Sequence, residues 1–490
     1  MDRLFLSNFV KGVTSKSLGS VFQVFIGILS LSIAARFIPR NEFGIYVLIQ
    51  VIASVFQLVN SLILNNISIT KFIAETDGPS KYSAVNTSII INIIVSAFLI
   101  VLLILAKFLF PRFFVSNQLS GYLIFIPLIY LASAFDQLFQ KILQGFQLYL
   151  KMAISQILNI SIRIIFIIIF LVFLKLGIYG LFYAVVLSFL FSLIYQYLAI
   201  RIHKPFIFQF SLYRQMFKFG FPLGLNDVLG FIFLKTDRLL IGAMMNPTGV
   251  AYYEIASKIP DSSRSMFNSF IEVYFPGLVS LFAQHKYREA ESMLNNSLRI
   301  ISFICTFFVL FLYLFQNEIT TILFSNKYIE SAPAMPILML GLTIALLGTI
   351  MGTSLVAIGQ SDKPAKVNIV RAGTSVLINL FMIPMFGFMG AVYATLLSIC
   401  MATPLNAWFL RKAKIKVEIF QCLKPIGVLL SCSIALAGFG SRSIFVRFSM
   451  IPLFIIICFL MSIIKKKDIR MFIGAFVPQK YMSQKIEASD

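Results

Sequence analysis

Apolar residues run along this chain in blocks of roughly 20, and each block is long enough to cross about 30 Å of hydrocarbon as an α-helix. Short polar segments separate about fourteen such blocks. Segments such as IISFICTFFVLFLYLF are apolar on every side, whereas a membrane β-strand alternates between apolar and polar positions. The pattern predicts an all-α polytopic membrane protein of about 14 transmembrane helices.

Composition and charge agree with a membrane location. Of the 490 residues, 59% are hydrophobic and 12% are charged, and the formal net charge is +22. On the fourteen-span pattern, most Lys and Arg residues fall at the two termini and in loops on the same side, including KKKDIR near the end of the chain. This positive-inside asymmetry predicts that both termini are cytoplasmic. It also explains the positive charge without a nucleic-acid partner, and none is expected.

An internal repeat divides the predicted spans into two groups. LGIYGLFYAVVLSF at 176–189 and FGFMGAVYATLLSI at 386–399 share Gly, Gly, Tyr, Ala, Leu and Ser in register, about 210 residues apart. PRNEFGIYVLIQ at Pro39 and PTGVAYYEIASK at Pro247 repeat at nearly the same offset. We predict two pseudo-symmetric six-helix lobes, with the substrate path between them. The predicted boundaries are an N-terminal lobe at 1–200, a cytoplasmic interfacial linker helix at 201–218, a C-terminal lobe at 219–410, and spans 13 and 14 with a basic cytoplasmic tail at 411–490.

The eighth predicted span carries its charges on one face. Within YYEIASKIPDSSRSMFNSFIEV, a stripe about 80° wide holds Glu254, Lys258, Asp261, Ser265, Asn268 and Glu272, with Arg264 at its margin. A charge that faces lipid at mid-bilayer costs at least about 2.5 kcal/mol, so this face should look into protein or water. The repeat-related helix carries Ser54, Gln57, Ser61 and Asn65 on the matching face. A shared aqueous cavity explains both faces, and simple helix pairing is the alternative; along the helix, Lys258 is spaced to pair with Glu254 and Asp261.

Further ionisable residues lie inside predicted spans. They are Asp136 in span four, Arg163 in span five, Lys235, Asp237 and Arg238 in span seven, and Arg371 in span eleven. Intramembrane charges indicate functional sites, although the cations of spans seven and eleven can also snorkel to an interface. The sequence contains no nucleotide fingerprint, metal-ligand cluster or catalytic-triad spacing, so neither a cofactor nor a metal nor an enzymatic activity is expected. His203 is expected to be an exposed interface residue.

Four segments spread over nearly the whole chain carry a family likeness. They are RFIPRNEFGIYVLIQ, KFIAE, TDRLLIGAMMNPTGVAYYEIASKI and VAIGQSDKPAKVNIVRAGTSVLINLFMIPMFGFMGAVYATLLS. These segments resemble the polysaccharide flippases of the O-antigen type, within the multidrug and oligosaccharidyl-lipid exporter superfamily. The resemblance implies two six-helix bundles plus two extra helices and alternating access. It also implies an undecaprenyl-pyrophosphate-linked oligosaccharide as substrate, moved to the periplasmic leaflet of the bacterial inner membrane.

A pyrophosphate needs basic residues in the cavity, and sugars need polar partners. We therefore expect substrate contacts from Arg264, Lys258, Arg163, Lys235, Arg238, Gln57, Asn65 and Asn268. The acids are expected either to neutralise some of these cations or to carry a coupling proton or sodium ion; they are Asp237, Glu254, Asp261, Glu272 and Asp136. Further expected partners of a monomeric transporter are membrane lipids, a polysaccharide polymerase and chain-length proteins.

Three alternatives stay open. A peptidoglycan-precursor flippase would share the fold and the headgroup chemistry. A multidrug or cation antiporter would share the fold, but a cationic drug favours an acidic, aromatic cavity. A membrane polysaccharide polymerase or lipid-dependent glycosyltransferase belongs to a different class, and the short outer loops predicted here disfavour it.

Overall fold

The protein is built from α-helices. A computed structural model describes residues 24–75, 80–109, 119–200, 208–439 and 443–463, and no strand occurs within these ranges. The predicted all-α fold class is therefore confirmed. The predictions for the extreme N-terminus, for His203 and for the basic tail concern positions outside the described residues.

The helices are numbered in chain order. The first half contains α1 (Val24–Phe37), α2 (Arg40–Ile63), α3 (Asn66–Glu75), α4 (Ser80–Leu109), α5 (Phe125–Gly145), α6 (Tyr149–Ile167) and α7 (Gly177–Ile200). The second half contains α8 (Phe210–Met244), α9 (Pro247–Ala283), α10 (Tyr287–Phe324), α11 (Ala334–Ala357), α12 (Asp362–Phe386), α13 (Phe388–Lys412), α14 (Ile419–Phe439) and α15 (Ile444–Leu460). Helix α6 continues into a π-helix at Ile168–Phe173.

Eleven helices in the described ranges are long and apolar enough to cross a membrane. Helix α8 becomes the twelfth if its two parts, Phe210–Ile232 and Leu234–Met244, are one span bent by 52°. Helices α1 and α15 coincide with the first and last predicted spans but are shorter than the rest. The multi-span helical character is thus confirmed, while the number fourteen stays a prediction.

Local sequence sets the helix ends near the candidate site. Asn246 precedes α9, and its side-chain oxygen accepts a hydrogen bond of 2.9 Å from the backbone N–H of Gly249, while Pro247 takes the first helical position. Gly387 separates α12 from α13 with φ at +63°, a conformation that favours glycine. Of the predicted linker helix at 201–218, the structure describes 208–218. Residues 210–218 form the first turns of α8, which continues through Pro222.

Two compact units can be distinguished in the chain. The first contains the described residues up to Ser269, together with Asn317–Ala334 and Ile369–Ser398. The second contains Phe270–Gln316, Met335–Asn368 and the described residues from Ile399 onward. Helix α10 has a non-helical residue, Phe315, next to the boundary between the units. Within the second unit, buried Tyr274 and Ser354 join α9 to α11 through a 2.8 Å hydrogen bond between their hydroxyls.

Glycines in the first unit let helix backbones meet closely. A Cβ atom on Gly44 of α2 would lie 1.7 Å from the carbonyl oxygen of Pro247 at the start of α9, so the contact requires glycine. On α8, a Cβ atom at Gly224 would lie 2.8 Å from the carbonyl oxygen of Ser61. Helix α2 therefore packs against both α8 and α9, and these are the helices on which most of the predicted site residues lie.

Candidate functional site

A charged cluster joins α8 to α9. The Arg238 side chain is 4% exposed, and its Nε lies 2.5 Å from Glu254 Oε2 while its Nη2 lies 3.1 Å from Asp261 Oδ2. Nη2 also donates to Ser257 Oγ at 2.7 Å, and Nη1 donates to the Leu234 carbonyl at 2.8 Å. Protein groups on two helices therefore hold all three guanidinium nitrogens, and two carboxylates balance the charge of this arginine.

The acids of α9 pair across helices and not along their own helix. The pairing of Lys258 with Glu254 and Asp261, expected from their spacing, is wrong, because both carboxylates turn to Arg238. Lys258 and Lys235 remain outside ion-pair distance, yet both act electrostatically on Glu254. Three cations thus share two carboxylates, and Asp237, the residue before Arg238, acts electrostatically on Arg238 as a third acid.

Arg264 lies one turn beyond this cluster on α9. Its Nε atom is buried and has no hydrogen-bond partner within the described ranges. It is near enough to Arg371 of α12 for the two positive charges to repel each other. The acidic neighbour Asp261 is engaged by Arg238. The Nε–H group of Arg264 is therefore free to donate a hydrogen bond to an anion.

A group rich in oxygen surrounds Asp237 of α8. The Asp237 side chain is buried and accepts hydrogen bonds from Tyr253 Oη at 2.6 Å, Asn379 Nδ2 at 2.9 Å and Thr395 Oγ1 at 3.1 Å. The Oδ1 atom of Asn379 is buried and without a hydrogen-bond partner in the described structure. Sequence reasoning found Asp237 but missed its three donors, because a neutral polar side chain in an apolar run gives little signal.

The carboxylate of Asp136 on α5 occupies a separate group in the first half of the chain. Ser192 Oγ and Gln196 Nε2 donate to its Oδ1 at 2.6 and 2.9 Å, and Gln140 Nε2 donates to its Oδ2 at 2.7 Å. Only 3% of Asp136 is exposed. This buried acid is thus surrounded by neutral donors, in contrast to Glu254.

Arg163 of α6 is held by neutral groups alone. Its Nη2 donates to Asn159 Oδ1 at 3.0 Å and its Nε donates to Ser188 Oγ at 3.3 Å. The guanidinium lies over the Phe189 ring, 5.1 Å from its centroid. No carboxylate forms an ion pair with Arg163 among the described residues, so its charge is available to a ligand.

The polar face of α2 is paired with neighbouring helices. Gln57 Nε2 donates to Gln137 Oε1 at 2.9 Å. Ser61 Oγ of α2 and the Nδ2 of Asn65, which lies between α2 and α3, both donate to Asp227 Oδ2, at 2.5 and 3.1 Å. Sequence reasoning missed Asp227, although an acidic residue within the apolar sequence of α8 indicates a candidate functional site.

The structure assembles part of the predicted residue set. Lys235, Arg238, Glu254, Lys258 and Asp261 form one cluster, whereas Asp237, Asp136 and Arg163 belong to the separate groups described above. Asn268 and Glu272 are exposed farther along α9, the first in one unit and the second in the other.

Comparison with known proteins decides the family. A family profile described as "Polysaccharide biosynthesis protein" matches residues 33–333. The chain belongs to this family. It is 24% identical over 458 residues to the probable low-salt glycan biosynthesis flippase Agl15 of Haloferax volcanii. The match covers 90% of this chain and 92% of that protein.

Solved structures share the fold of this family member. The lipid II flippase MurJ in an inward closed conformation has a TM-score of 0.70 at 14% identity, covering 91% of this chain and 99% of that one. An inward-facing multidrug resistance MATE family transporter of the MOP superfamily has a TM-score of 0.65 at 15% identity, and the match covers 81% of this chain and 98% of that one. The family resemblance and the fold are therefore confirmed. The relative and these structures are flippases and transporters, which also confirms the prediction of a protein that is not an enzyme.

Proposed function

We propose that this protein is a flippase for an undecaprenyl-pyrophosphate-linked oligosaccharide, such as an O-antigen or related surface polysaccharide repeat unit. It moves this substrate from the cytoplasmic to the periplasmic leaflet by ion-coupled alternating access. The flippase named among its relatives supports the activity, and the fold shared with transporters supports the mode of movement.

The observation that carries this proposal is the positive balance of the cluster on α8 and α9. Lys235, Arg238 and Lys258 outnumber Glu254 and Asp261 by one positive charge, and this charge becomes available when Asp237, a third acid that acts electrostatically on Arg238, binds its proton or cation. A diphosphate would be attracted to this excess, and cations at membrane depth attract anions more strongly than cations in water do. The same excess would repel a cationic drug, which disfavours the multidrug antiporter.

Arg264 supplies the contact most specific for phosphate. Its planar guanidinium can donate to two phosphate oxygens at once, and its buried Nε is unused in the described structure. The amides of Gln57 on α2 and of Asn65, which lies just before α3, provide the neutral hydrogen-bonding groups that sugars need, once they exchange their present partners Gln137 and Asp227.

Asp237 is the best placed of the acids to carry the coupling ion. Its two oxygens accept hydrogen bonds from Tyr253, Thr395 and Asn379, an arrangement that suits a proton and would suit a hard monovalent cation once these donors turn and the unpaired Asn379 carbonyl faces the site. Glu254 and Asp261 are less suitable, because Arg238 already occupies them.

A flipping assay in proteoliposomes tests the function. Three fluorescent cargoes are compared: a short undecaprenyl-pyrophosphate oligosaccharide, a lipid II analogue and a cationic dye. We expect the oligosaccharide lipid to be flipped fastest, and Arg264→Lys to lose at least about tenfold in rate, because lysine keeps the charge but not the two-pronged geometry. The exposed lysine variant Lys366→Gln is the matched control and should behave as wild type.

The possible outcomes separate the alternatives. Preference for the lipid II analogue would assign the protein to peptidoglycan-precursor export. Transport of the dye without lipid flipping would overturn the proposal. A normal rate for Arg264→Lys at equal protein level would remove this arginine from the substrate site.

A further inference from the structure

Polar side chains recur every fourth residue where α6 meets α7. They are Ser155, Asn159 and Arg163 on α6, and Ser188, Ser192 and Gln196 on α7. Gln196 Nε2 lies 3.3 Å from Ser155 Oγ, and Arg163 Nε lies 3.3 Å from Ser188 Oγ, so the two sets meet at both ends. We call these six residues the polar row. Asp136 of α5 closes the end at Gln196, and Arg163 forms the other end.

Among the described residues, Asp136 has no positively charged partner at ion-pair distance to balance an ionised carboxylate. Its three close partners, Ser192, Gln196 and Gln140, are neutral. Arg163 of α6 acts on it electrostatically but forms no ion pair with it in the described structure. Asp136 forms no hydrogen bond or ion pair with Lys141 of α5 or with the other charged side chains described on the helices packed against α5. These are Arg40, Glu42, Lys71, Glu75, Lys81 and Lys151.

Burial makes an isolated negative charge expensive. A carboxylate removed from water without a counter-charge either gathers hydrogen bonds or takes up a proton. Asp136 has gathered three hydrogen bonds, which offset part of the cost and leave both protonation states within reach. A third helix, α6, touches the same group through Ser155.

Gln196 is suited to pair with Asp136 in either protonation state. In the structure its Nε2 donates to Asp136, while its Oε1 is fully buried and has no hydrogen-bond partner in the described ranges. Rotating the amide by half a turn would place the oxygen against Asp136 Oδ1. That contact is repulsive for a carboxylate but becomes a hydrogen bond when Oδ1 carries a proton.

A proton fits this group better than a metal ion does. The three donors approach the two Asp136 oxygens to between 2.6 and 2.9 Å, so a metal would have to displace them. A proton needs no extra volume and only the turn of one amide. Nothing else has to be supplied for a reversible exchange: the O–H bond forms at Oδ1 and the proton comes from and returns to water.

We propose that Asp136 is a proton-binding site in the first half of the chain, and that its occupancy tunes the attraction of Arg163 for an anion through the polar row. The second part rests on the function proposed above. Protonation removes the negative charge that acts on Arg163, and the guanidinium then attracts a diphosphate more strongly. By linkage, diphosphate binding favours proton uptake at Asp136.

Infrared spectroscopy tests the proton site without any transport. The purified full-length protein is titrated in D2O, and the carbonyl band of protonated carboxylic acids is recorded. We expect a titrating component of this band that disappears in Asp136→Asn and persists in Asp237→Asn and in Asp362→Asn, whose carboxylate is exposed. Ser192→Ala should move the midpoint to higher pH, because it removes a donor to the ionised form. The absence of this component in wild type, or a band that Asp136→Asn leaves unchanged, would overturn the site.

Binding of farnesyl diphosphate tests the link to Arg163. Asp136→Asn mimics the protonated state, so it should bind the probe severalfold more tightly than wild type at alkaline pH and lose the pH dependence. Adding Arg163→Gln should abolish this gain. A pH dependence that survives Asp136→Asn contradicts the link. If wild type does not bind the probe at all, the proposed function fails, whereas the infrared titration still decides the proton site.

Discussion

Arg238 and Arg163 are both arginines inside membrane-spanning helices, but the protein treats their charges differently. Arg238 is held by two carboxylates, Glu254 and Asp261, at 2.5 and 3.1 Å. Arg163 is held by Asn159, Ser188 and the face of an aromatic ring, all of them neutral. The first arginine is neutralised by the fold, whereas the second keeps its charge.

The difference indicates which cation serves structure and which serves a ligand. A buried ion pair contributes little net stability. Removing one partner is nevertheless strongly destabilising, because the other is left as an unbalanced buried charge. The positive charge of a buried arginine with neutral partners is not fully balanced, and an anionic ligand can supply the missing negative charge. We therefore expect Arg238 to position the cluster on α8 and α9, and Arg163 to contact substrate.

The largest effect is expected from Arg238→Ala. Its removal leaves Glu254 and Asp261 without a counter-charge inside the protein, which should lower the free energy of unfolding by about 3 to 5 kcal/mol. Thermal unfolding followed by size-exclusion chromatography of the detergent-solubilised protein measures the loss. Arg238→Met combined with Glu254→Gln and Asp261→Asn should recover most of the stability. A destabilised triple variant would show that the charges themselves are needed.

An intermediate effect is expected from Arg163→Ala, and on transport more than on stability. Only Asn159 and Ser188 lose a donor, so the unfolding free energy should fall by about 1 to 3 kcal/mol. Flipping should fall at least about tenfold, which corresponds to about 1.4 kcal/mol of lost substrate binding. Arg163→Lys should recover part of the rate. Equal transport by Arg163→Ala and wild type at matched protein level would reverse the assignment of the two arginines.

Hydrophobic patterning was sufficient to predict the helical character and most of the charges inside the helices, although Asp227 of α8 was missed. A charge at membrane depth is costly enough to stand out in an apolar run, and Asp136, Arg163, Asp237 and Arg238 were found in this way. The partners of these charges were not predictable, because pairing depends on which helices become neighbours. Glu254 has Lys258 one turn away along α9, yet it pairs with Arg238 of α8.

Neutral polar residues explain most of what sequence reasoning missed. Ser192, Gln196 and Asn379 each sit in strongly apolar segments, where one amide or hydroxyl hardly changes the hydropathy. Their role becomes visible only when the helix packing brings them against a carboxylate. The four-residue spacing of the polar row was available in the sequence, but the same spacing on a single helix does not reveal what it faces.

The smallest expected effects come from a matched pair of serines and sharpen the comparison most. Ser257 and Ser188 are both buried and each accepts a hydrogen bond from one of the two arginines, at 2.7 and 3.3 Å. In Ser257→Ala the two carboxylates still fix Arg238, so stability should fall by about 0.5 to 1.5 kcal/mol and flipping should stay unchanged. In Ser188→Ala the longer bond costs less stability, but within the described ranges Arg163 keeps only Asn159 as a hydrogen-bond partner and loses its alignment. Flipping by Ser188→Ala should therefore fall a few-fold, although its melting temperature stays closer to that of wild type. The opposite ranking, with Ser257→Ala impairing flipping and Ser188→Ala only stability, would mean that the neutralised arginine contacts substrate and the charged one holds the fold.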